Sequence, residues 1–391
     1  MTKKTIKILF ISHSAGLYGA EKSLLILLKN IDRTRFSPIV MLPCTGPLEE
    51  EIKILNIPVI VLPYKLKITT KKYKLTAYIF FRYLWQIIIF TQRLIKLIKL
   101  HKIDVVYTNT SIIPIGALAA LIARVPHVWH IRELIKNDKF FKIVPPGLVI
   151  NFIKLFSKKI IANSKITAEQ FYSNYSSIKK IEVIYNGVEI INEPATDTKI
   201  DTLLKNNWCV AVIGTIQPSK GQETAIRALN LITNKIPNIK LLIIGDGEKI
   251  YLNHLNKLIS DFQLQKYVLF TGFRKDIFNI LNHCRILLCP SIVESFGRTI
   301  IEAMAKGIPA IGTNTGGIKE IIEDGFSGYL VPIGDENILS EKIYFLFQNP
   351  RKAELMGKRG IKIVKEKFNI PQYITSIEHV IIETNAAKKL L

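Results

Sequence analysis

Cysteine is scarce in this chain of 391 residues, which has only four: Cys44, Cys209, Cys284 and Cys289. They lie in or beside apolar, strand-like runs, and none has the close pairing of a zinc site or a disulfide framework. The sequence therefore argues against a disulfide-stabilised secreted domain and predicts reduced, buried thiols. Asp-x-Asp is also missing, so a metal clamp of that type is not expected.

Targeting signals and long apolar runs are lacking as well. Residues 1–12, MTKKTIKILFIS, have a short apolar stretch without a small-residue cleavage site, which predicts a first strand rather than a signal peptide. The apolar segment 77–90 is interrupted by Arg82 and Gln86, and it is shorter than the roughly 20 residues that cross a bilayer. We therefore expect a chain that stays in the cytoplasm.

Repeats and low-complexity blocks are absent, and the length suits two globular domains. Apolar runs rich in Ile and Val alternate with amphipathic stretches long enough for helices. The strand-like runs are 6–12, 37–42, 57–62, 104–109, 127–131, 159–163 and 181–185, and then 208–214, 239–245, 266–272, 285–290, 309–313 and 328–332. This alternation predicts two doubly wound, Rossmann-like α/β domains with parallel sheets.

The interruption of this pattern predicts the domain boundaries. After YNGVE the sequence becomes polar and loses its periodicity. We expect a first domain at 1–188, a linker at 189–206, a second domain at 207–370, and a C-terminal helix at 371–391 that packs back on the first domain. Such sheets bind ligands beyond the carboxyl ends of their strands, so the expected site is a cleft between two facing domains.

A glycine-containing loop follows the first strand of each domain. In SHSAGLYGAEKSLL (12–25), Gly16 and Gly19 would let the backbone approach a phosphate, although a structural turn explains them equally well. In GTIQPSKG (214–221), Lys220 is expected at the start of the next helix, where a cation opposes the helix dipole, which suggests an anionic ligand. A solvated surface lysine is the alternative.

The segment PSIVESFGRTIIEAMAKGIPAIGTNTGGIKEII (290–322) is the most informative. It predicts a strand end, a loop at 295–297 and a helix from Arg298 to Ala305. Glu302 would lie on that helix among apolar residues, where a carboxylate is costly without a partner. A pair of ligand hydroxyls would be such a partner. Alternatively, Glu294 is a helix-flanking acid and Glu302 a solvent-facing one.

Glu294 and Glu302, with SFG between them, PS before them and EAMAKGIPAI and GG after them, resemble the E-x7-E region of the retaining glycosyltransferases of family 4. Further matches lie in the family's order along nearly the whole chain. They are GLYGAE, VWHIRE, ANS, VIYNGV, GTIQPSKG, IIGDGE, FTGF and GYLVP. The resemblance implies the GT-B architecture, in which two Rossmann-like domains face a cleft.

The resemblance also implies roles for individual residues in the second domain. Glu294 would orient the transferred sugar, and Glu302 would hold the ribose hydroxyls of the nucleotide. Phe296, Gly297 and Arg298 would offer backbone groups to the sugar and the diphosphate.

The remaining implied roles involve both domains. Lys220 would neutralise the departing diphosphate, and Gly16 to Gly19 would close over it. His130 would lie near the sugar, although without the resemblance a core or capping histidine is equally plausible for it, and so is His127 as the ligand histidine.

One position departs from the family pattern. The family usually has Arg directly after the glycine of GRL…KG, where this sequence has Thr215. A threonine cannot clamp a diphosphate, so Arg274 or Arg298 would have to assist Lys220. The resemblance further implies transfer with retention of anomeric configuration and without a cofactor, the leaving diphosphate being stabilised by cations and helix N-termini instead of a metal.

Acidic residues are depleted in the first half: residues 1–187 have 29 Lys/Arg against 10 Asp/Glu, and residues 188–391 have 25 against 21. Residues 64–103 contain ten Lys/Arg and no acid, with apolar and aromatic residues between them. An amphipathic helix on the anionic inner face of the cell membrane would fit, and 140–159 has the same character. The alternatives are a core helix with a solvated basic face, and a genome that favours lysine codons. Nucleic acid is not expected, since no recognition motif occurs.

The sequence thus predicts an enzyme that transfers a sugar from a nucleotide-diphosphate donor to a lipid-linked saccharide acceptor in surface polysaccharide or glycolipid assembly. A non-catalytic, membrane-associated scaffold with the same fold is the alternative, and Thr215 is the residue that favours it. A sugar-nucleotide epimerase of similar architecture lacks an evident catalytic motif.

Overall fold

A computed structural model describes residues 5–64, 77–136, 145–172, 180–189, 202 and 204–386. The chain divides into two compact units, one formed by 1–187 with 370–391 and the other by 188–369. Most of the predicted linker 189–206 lies outside the described residues. The same is true of 65–76 and 140–144, which belong to the two basic segments discussed above.

The first unit contains a seven-stranded sheet whose described strands are all parallel. The strands are β1 (Ile6–Ile11), β2 (Phe36–Leu42), β3 (Val59–Val61), β4 (Val105–Thr108), β5 (His127–Ile131), β6 (Lys159–Ala162) and β7 (Ile181–Val183). Their order is β3-β2-β1-β4-β5-β6-β7. The order therefore reverses between β1 and β4, as in a doubly wound sheet.

Helices cover both faces of this sheet, because successive strand residues point to opposite faces and nearly all of them are apolar and buried. The helices of the first unit are α1 (Gly19–Asn30), α2 (Pro47–Ile54), α3 (Ala77–Leu100), α4 (Ile115–Ile122), α5 (Pro146–Phe156), α6 (Lys165–Glu169) and α14 (Ile370–Ala386). The cores on one face include α1, α2 and α14, and those on the other include α3, α4 and α5.

The second unit repeats this plan with a six-stranded parallel sheet. Its strands are β8 (Trp208–Ile213), β9 (Ile239–Ile244), β10 (Val268–Gly272), β11 (Cys284–Cys289), β12 (Ala310–Thr313) and β13 (Gly328–Val331). Its helices are α7 (Gln222–Asn230), α8 (Lys249–Asp261), α9 (Ile277–Leu281), α10 (Arg298–Ala305), α11 (Ile318–Ile321), α12 (Glu336–Gln348) and α13 (Pro350–Lys367). The strand order β10-β9-β8-β11-β12-β13 reverses between β8 and β11.

The prediction of two parallel, Rossmann-like α/β sheets is confirmed. Each predicted strand run overlaps a strand of the structure, and the predicted helix Arg298–Ala305 has those bounds.

The C-terminal helix α14 belongs to the first unit although it follows the second in the chain. Its apolar residues are buried in the core that also contains α1 and α2: Tyr373, Ile374, Ile377, Val380 and Ile381. At its outer side, Glu383 and Glu182 of β7 both bind Lys159 of β6, each at 2.7 Å. The first unit is therefore completed by a segment distant in sequence.

One expectation about the thiols is wrong. Cys44 lies in the loop after β2 and is exposed, whereas Cys209, Cys284 and Cys289 are buried as expected. The difference arises because Cys44 falls two residues beyond the end of its strand, outside the sheet core. Within the described part of the chain, no helix combines the length and the apolar character that crossing a membrane requires.

Candidate active site

Most of the predicted ligand-binding residues of the second unit lie in or directly after the loops at the carboxyl ends of β8 and β11, the two strands between which the strand order reverses. Arg274 is the exception, since it lies two residues beyond β10. Lys220 follows β8, and Glu294 follows β11. Because the carboxyl ends of parallel neighbours meet at one edge, two loops distant in sequence are brought together there.

Lys220 and Glu294 form an ion pair in which Nζ donates to Oε2 at 2.5 Å. The side chains are 26% and 14% exposed, respectively, so the pair is largely shielded but still reaches the surface. Burial alone would lower the pKa of Lys220, but the charge of Glu294 and the hydrogen bond to it outweigh that effect and raise the pKa. Lys220 is therefore a fixed cation next to a carboxylate.

The position of Lys220 corrects the sequence prediction. The residue ends a 3₁₀ turn, Pro218–Lys220, and Gly221 then adopts a φ of +70° before α7 begins at Gln222. A Cβ at Gly221 would lie 1.9 Å from the carbonyl oxygen of Pro290, so only glycine permits this close approach. Lys220 therefore precedes the helix rather than starting it.

The loop that contains Glu294 is held from two sides. On one side, the Ile292 N–H donates to the Ser219 carbonyl at 2.9 Å. On the other, the Gly317 N–H donates to the Glu294 carbonyl, also at 2.9 Å. Gly316 has a φ of +52°, and a Cβ there would lie 1.9 Å from the Glu294 oxygen. The glycine pair before α11 therefore fixes the backbone of Glu294.

Helix α10 begins directly after this loop. Gly297 is its N-cap residue and has a φ of +105°. The ring of Phe296 is buried and packs edge-on against the ring of Phe368. Glu302 is buried, and its Oε1 accepts from Arg298 Nε at 2.8 Å, one helical turn away. The sequence predicted that a buried carboxylate at Glu302 needs a partner, and Arg298 of the same helix is that partner.

Two further positions concern the missing arginine of the family pattern. Arg274 contacts both carboxylate oxygens of Asp276, at 2.8 and 2.7 Å. Thr215 is exposed, and its carbonyl accepts from the Gln222 side chain at 3.0 Å. Of the two arginines expected to assist Lys220, Arg298 begins α10, directly after the loop that contains Glu294, whereas Arg274 follows β10.

The first unit places His130 at the end of β5, completely buried. Its Nδ1 lies 2.5 Å from Tyr107 Oη and 3.3 Å from a terminal nitrogen of Arg132. Its Nε2 is buried and has no hydrogen-bond partner among the residues that the structure describes. Burial and the charge of Arg132 hold the pKa of His130 well below its usual range, so the imidazole is neutral.

His127 has a different environment. It begins β5, at the edge of the sheet opposite the ligand-binding one, and its Nε2 lies 2.8 Å from Thr108 Oγ1. Its ring packs edge-on against Trp129 on the face that α4 and α5 cover. Burial lowers its pKa to about 3. These contacts place His127 in the core of the first unit, at the end of the sheet away from the carboxyl end near which His130 lies.

The loop between β1 and α1 contains the predicted Gly16 and Gly19. Neither has a positive φ. A Cβ on Gly19 would meet nothing within 4 Å, so the fold itself does not require glycine there, whereas a Cβ on Gly16 would lie 2.6 Å from the ring of Tyr18, which would have to move. Glu21, in the first turn of α1, is buried, and its Oε1 lies 3.5 Å from His13 Nδ1. Burial raises the pKa of Glu21, although His13 acts in the opposite direction.

Several residues at these strand ends have no role predicted from the sequence. Arg132 and Glu21 belong to the motifs VWHIRE and GLYGAE, and Gly316 with Gly317 to the motif GG, but the motifs alone assign them nothing. Charged residues directly beyond strand ends were a signal for the first two, and the adjacent glycines before a helix were a signal for the others. In the described part of the chain, no three His, Cys, Asp or Glu side chains form a group that could hold a metal ion.

Comparisons with known proteins decide the family. A model described as Glycosyltransferase Family 4 matches residues 18–190, and one described as Glycosyl transferases group 1 matches residues 196–363. The chain belongs to glycosyltransferase family 4. The resemblance drawn from the E-x7-E region is therefore confirmed.

Relatives of this family-4 glycosyltransferase include two curated bacterial enzymes. It is 29% identical over 304 residues, 74% of this chain and 78% of the other, to the UDP-Gal:alpha-D-GlcNAc-diphosphoundecaprenol alpha-1,3-galactosyltransferase of Escherichia coli. It is 28% identical over 267 residues, 65% of this chain and 70% of the other, to the capsular polysaccharide biosynthesis glycosyltransferase CapM of Staphylococcus aureus.

Among solved structures, the family-4 chain is similar to HepE from Anabaena in complex with UDP and glucose. The TM-score is 0.81 and the identity 26%, over 96% of this chain and 99% of HepE. The likeness extends through both units, which agrees with the two sheets described above.

Proposed function

We propose that this family-4 glycosyltransferase moves a hexose from a nucleotide-diphosphate sugar to a lipid-linked saccharide, with retention of configuration and without a metal or other cofactor. The observation that carries the proposal is the ion pair of Lys220 with Glu294 at the edge where the second sheet reverses its strand order. A cation and a carboxylate side by side suit a ligand that has both an anionic leaving group and hydroxyls.

The proposed roles follow from charge and position. Lys220 takes up the negative charge that develops on the diphosphate as the glycosidic bond breaks, because a fixed cation needs no reorganisation at that moment. Glu294 accepts hydrogen bonds from sugar hydroxyls. Its carbonyl is already bound by Gly317, so the loop is positioned before the donor arrives.

The nucleotide is proposed to lie along the start of α10. Glu302 accepts from the ribose hydroxyls while Arg298 remains its partner. Phe296 and Gly297 supply backbone groups, and Arg298 supplies the positive charge that Thr215 does not. Arg274 is the weaker candidate for that charge, since its guanidinium already binds both oxygens of Asp276.

The first unit is proposed to serve the acceptor and the sugar. His130 contacts the sugar through Nε2, and the loop from Gly16 to Gly19 approaches the diphosphate. The departing phosphate oxygen takes the proton of the attacking hydroxyl on the same face of the sugar, so the configuration is retained. Solved HepE with UDP and glucose supports a nucleoside diphosphate and a hexose as the ligand classes.

The lipid-linked acceptor is proposed from the surface of the first unit. Helices α3, α4 and α5 cover one face of its sheet and contain five Lys/Arg and no acid. They expose several large apolar side chains: Leu84, Trp85, Ile88, Leu100, Leu121, Ile122, Leu148 and Leu155. We call this surface the apolar-basic face. An anionic inner membrane leaflet has the complementary charge and accepts such side chains.

The acceptor of the Escherichia coli relative, by its name, is a sugar on diphosphoundecaprenol, which agrees with this acceptor class. The name of the Staphylococcus aureus relative supports a place in surface polysaccharide assembly.

A panel of UDP-glucose, UDP-galactose, UDP-N-acetylglucosamine and GDP-mannose tests the proposal by thermal shift and by release of nucleoside diphosphate. A donor at 100 times its Kd should stabilise the fold by about 2.7 kcal/mol. Glu294→Gln and Lys220→Met should each lower turnover by about 10²-fold or more. Lys319→Met, an exposed lysine of the same unit, is the control and should keep full activity.

The exposed Thr215, in a position where the family usually has arginine, favours the second candidate, a non-catalytic scaffold that binds membranes. Failure of every donor to bind or react, with vesicle binding intact, would support the scaffold. Unchanged turnover in Glu294→Gln would contradict the proposed mechanism but not the enzyme.

A further inference from the structure

The guanidinium of Arg132 is buried in the first unit, directly beyond the end of β5. Its Nε donates to Asn109 Oδ1 at 2.9 Å, and one terminal nitrogen donates to Asn186 Oδ1 at 2.6 Å. The other terminal nitrogen lies 3.3 Å from Tyr373 Oη of α14 and 3.3 Å from His130 Nδ1. No carboxylate pairs with the guanidinium within the described ranges of the chain, so its position is set by neutral acceptors.

The contact with Arg132 determines which nitrogen of His130 has the proton. A guanidinium has five N–H donors and no acceptor, so the Nδ1 that faces it has to accept. Nδ1 then has one lone pair to offer, and Tyr107 Oη, which can donate or accept, shares that lone pair with the guanidinium as the closer donor, at 2.5 Å. In a neutral imidazole the single proton therefore resides on Nε2.

Nε2 is the atom of His130 that has no partner among the described residues. An N–H that is buried without an acceptor costs about 1–3 kcal/mol, so such a group calls for an explanation. A bound oxygen is the explanation that fits, because the N–H is a donor. His130 also lies near the carboxyl end of β5, next to β4, where doubly wound sheets bind their ligands.

We propose that Arg132 is a positioning residue that holds His130 in the Nε2-protonated tautomer and so presents an N–H to a sugar oxygen. The proposal rests on the proposed function for the identity of that oxygen. The tautomer itself is a property of the free protein. Arg132 acts through His130 and does not itself contact the sugar.

The first test is ¹⁵N NMR of the full chain with labelled histidine. The spectrum of His130→Asn identifies the His130 signals among those of the seven histidines. At neutral pH, Nε2 should be protonated and Nδ1 unprotonated. A proton on Nδ1, or on both nitrogens, would overturn the proposal whether or not any sugar nucleotide is bound.

Three variants separate Arg132 from Tyr107. Tyr107→Phe removes the ambivalent hydroxyl and should leave the tautomer unchanged, because the guanidinium remains a donor. Arg132→Lys retains a donor without acceptor capacity and should also keep it. Arg132→Gln should give a mixture of tautomers. If Arg132→Gln does not fold, Tyr107→Phe decides alone: a changed tautomer there assigns the role to Tyr107 and refutes the one given to Arg132.

The effect on transfer is measured with whichever donor of the panel the wild type uses. Arg132→Gln should lower kcat by about 10–100-fold, as expected when the outer partner of a functional imidazole is lost. Arg132→Lys should recover most of that loss, and KM for the donor should change little. A wild type with the Nε2 proton but no activity would refute the proposed function and leave the tautomer assignment standing. Full activity of Arg132→Gln with mixed tautomers would refute the positioning role.

Discussion

Lys220 Nζ lies 2.5 Å from Glu294 Oε2, although the two residues are separated by 74 positions in the chain. The contact exists because β8 and β11 are neighbours in the sheet and their following loops are joined by the hydrogen bond from Ile292 to Ser219. The backbone contacts that hold these two loops can therefore be tested by substitution, as can the two side chains.

Gly316→Ala tests the support of the Glu294 loop. The added Cβ would lie 1.9 Å from the Glu294 carbonyl oxygen, so the loop has to move. We expect turnover to fall at least tenfold while the circular dichroism spectrum remains native.

Gly325→Ala is the matched control for this loop. Gly325 also has a positive φ, +68°, but a Cβ there meets nothing within 4 Å. Backbone strain should cost both variants about 1–2 kcal/mol of unfolding free energy. Gly316→Ala should lose more than Gly325→Ala because of its added steric clash, and only Gly316→Ala should lose activity. Equal activities would show that the loop position is not critical.

The charge balance at Thr215 gives a second prediction. Arg298→Met should lower turnover by about 10²-fold, because the diphosphate then has Lys220 as its main cation. Thr215 is exposed, so an arginine fits there without repacking. Thr215→Arg in the Arg298→Met background should recover activity. If the double variant stays as slow as the single one, Arg298 acts through its contact with Glu302 instead.

His127 predicts part of the acid sensitivity of the fold. Its folded pKa of about 3 lies below the unfolded value of roughly 6.5, so the unfolded chain binds the proton more tightly. Its stabilising contribution is complete above about pH 6.5 and is lost as pH falls toward 3. In urea titrations from pH 6 to pH 4, His127→Gln should reduce the pH slope of the unfolding free energy by about 1.4 kcal/mol per unit. An unchanged slope would contradict the assignment.

The apolar-basic face predicts binding to vesicles of phosphatidylglycerol but not of phosphatidylcholine alone. Trp85 is 64% exposed on α3, and Lys96 and Lys99 are exposed on the same helix. Lys96→Gln with Lys99→Gln should weaken binding by about 2 kcal/mol, since each cation contributes about 1 kcal/mol, and salt should weaken it further.

Apolar variants complete the vesicle experiment. Trp85→Ser should reduce co-sedimentation of the full chain with anionic vesicles. Ile250→Ser, at a residue of the second unit that is 82% exposed, is the control and should have no effect. Equal losses in the two variants would exclude the apolar-basic face as the membrane-binding surface.

The sequence alone was sufficient for the elements of the fold. Strands such as Ile6–Ile11 and Trp208–Ile213 are short runs dense in Ile, Val and Leu. Such a strand can be recognised from its own residues, without knowledge of its neighbours in the sheet. The helix Arg298–Ala305 was predicted with its bounds because Gly297 precedes it and its apolar spacing is helical. The E-x7-E region is by itself sufficient to indicate the family.

Only the tertiary structure decided which side chains are partners. It paired Lys220 with Glu294, placed Cys44 outside the sheet core, and surrounded Arg132 with Asn109, Asn186, Tyr373 and His130. The periodicity of apolar residues indicates which face of a helix or strand is buried, and it depends only on residues close together in the chain. Partner choice depends on the order of the strands and on the return of α14 to the first sheet, which join residues hundreds of positions apart.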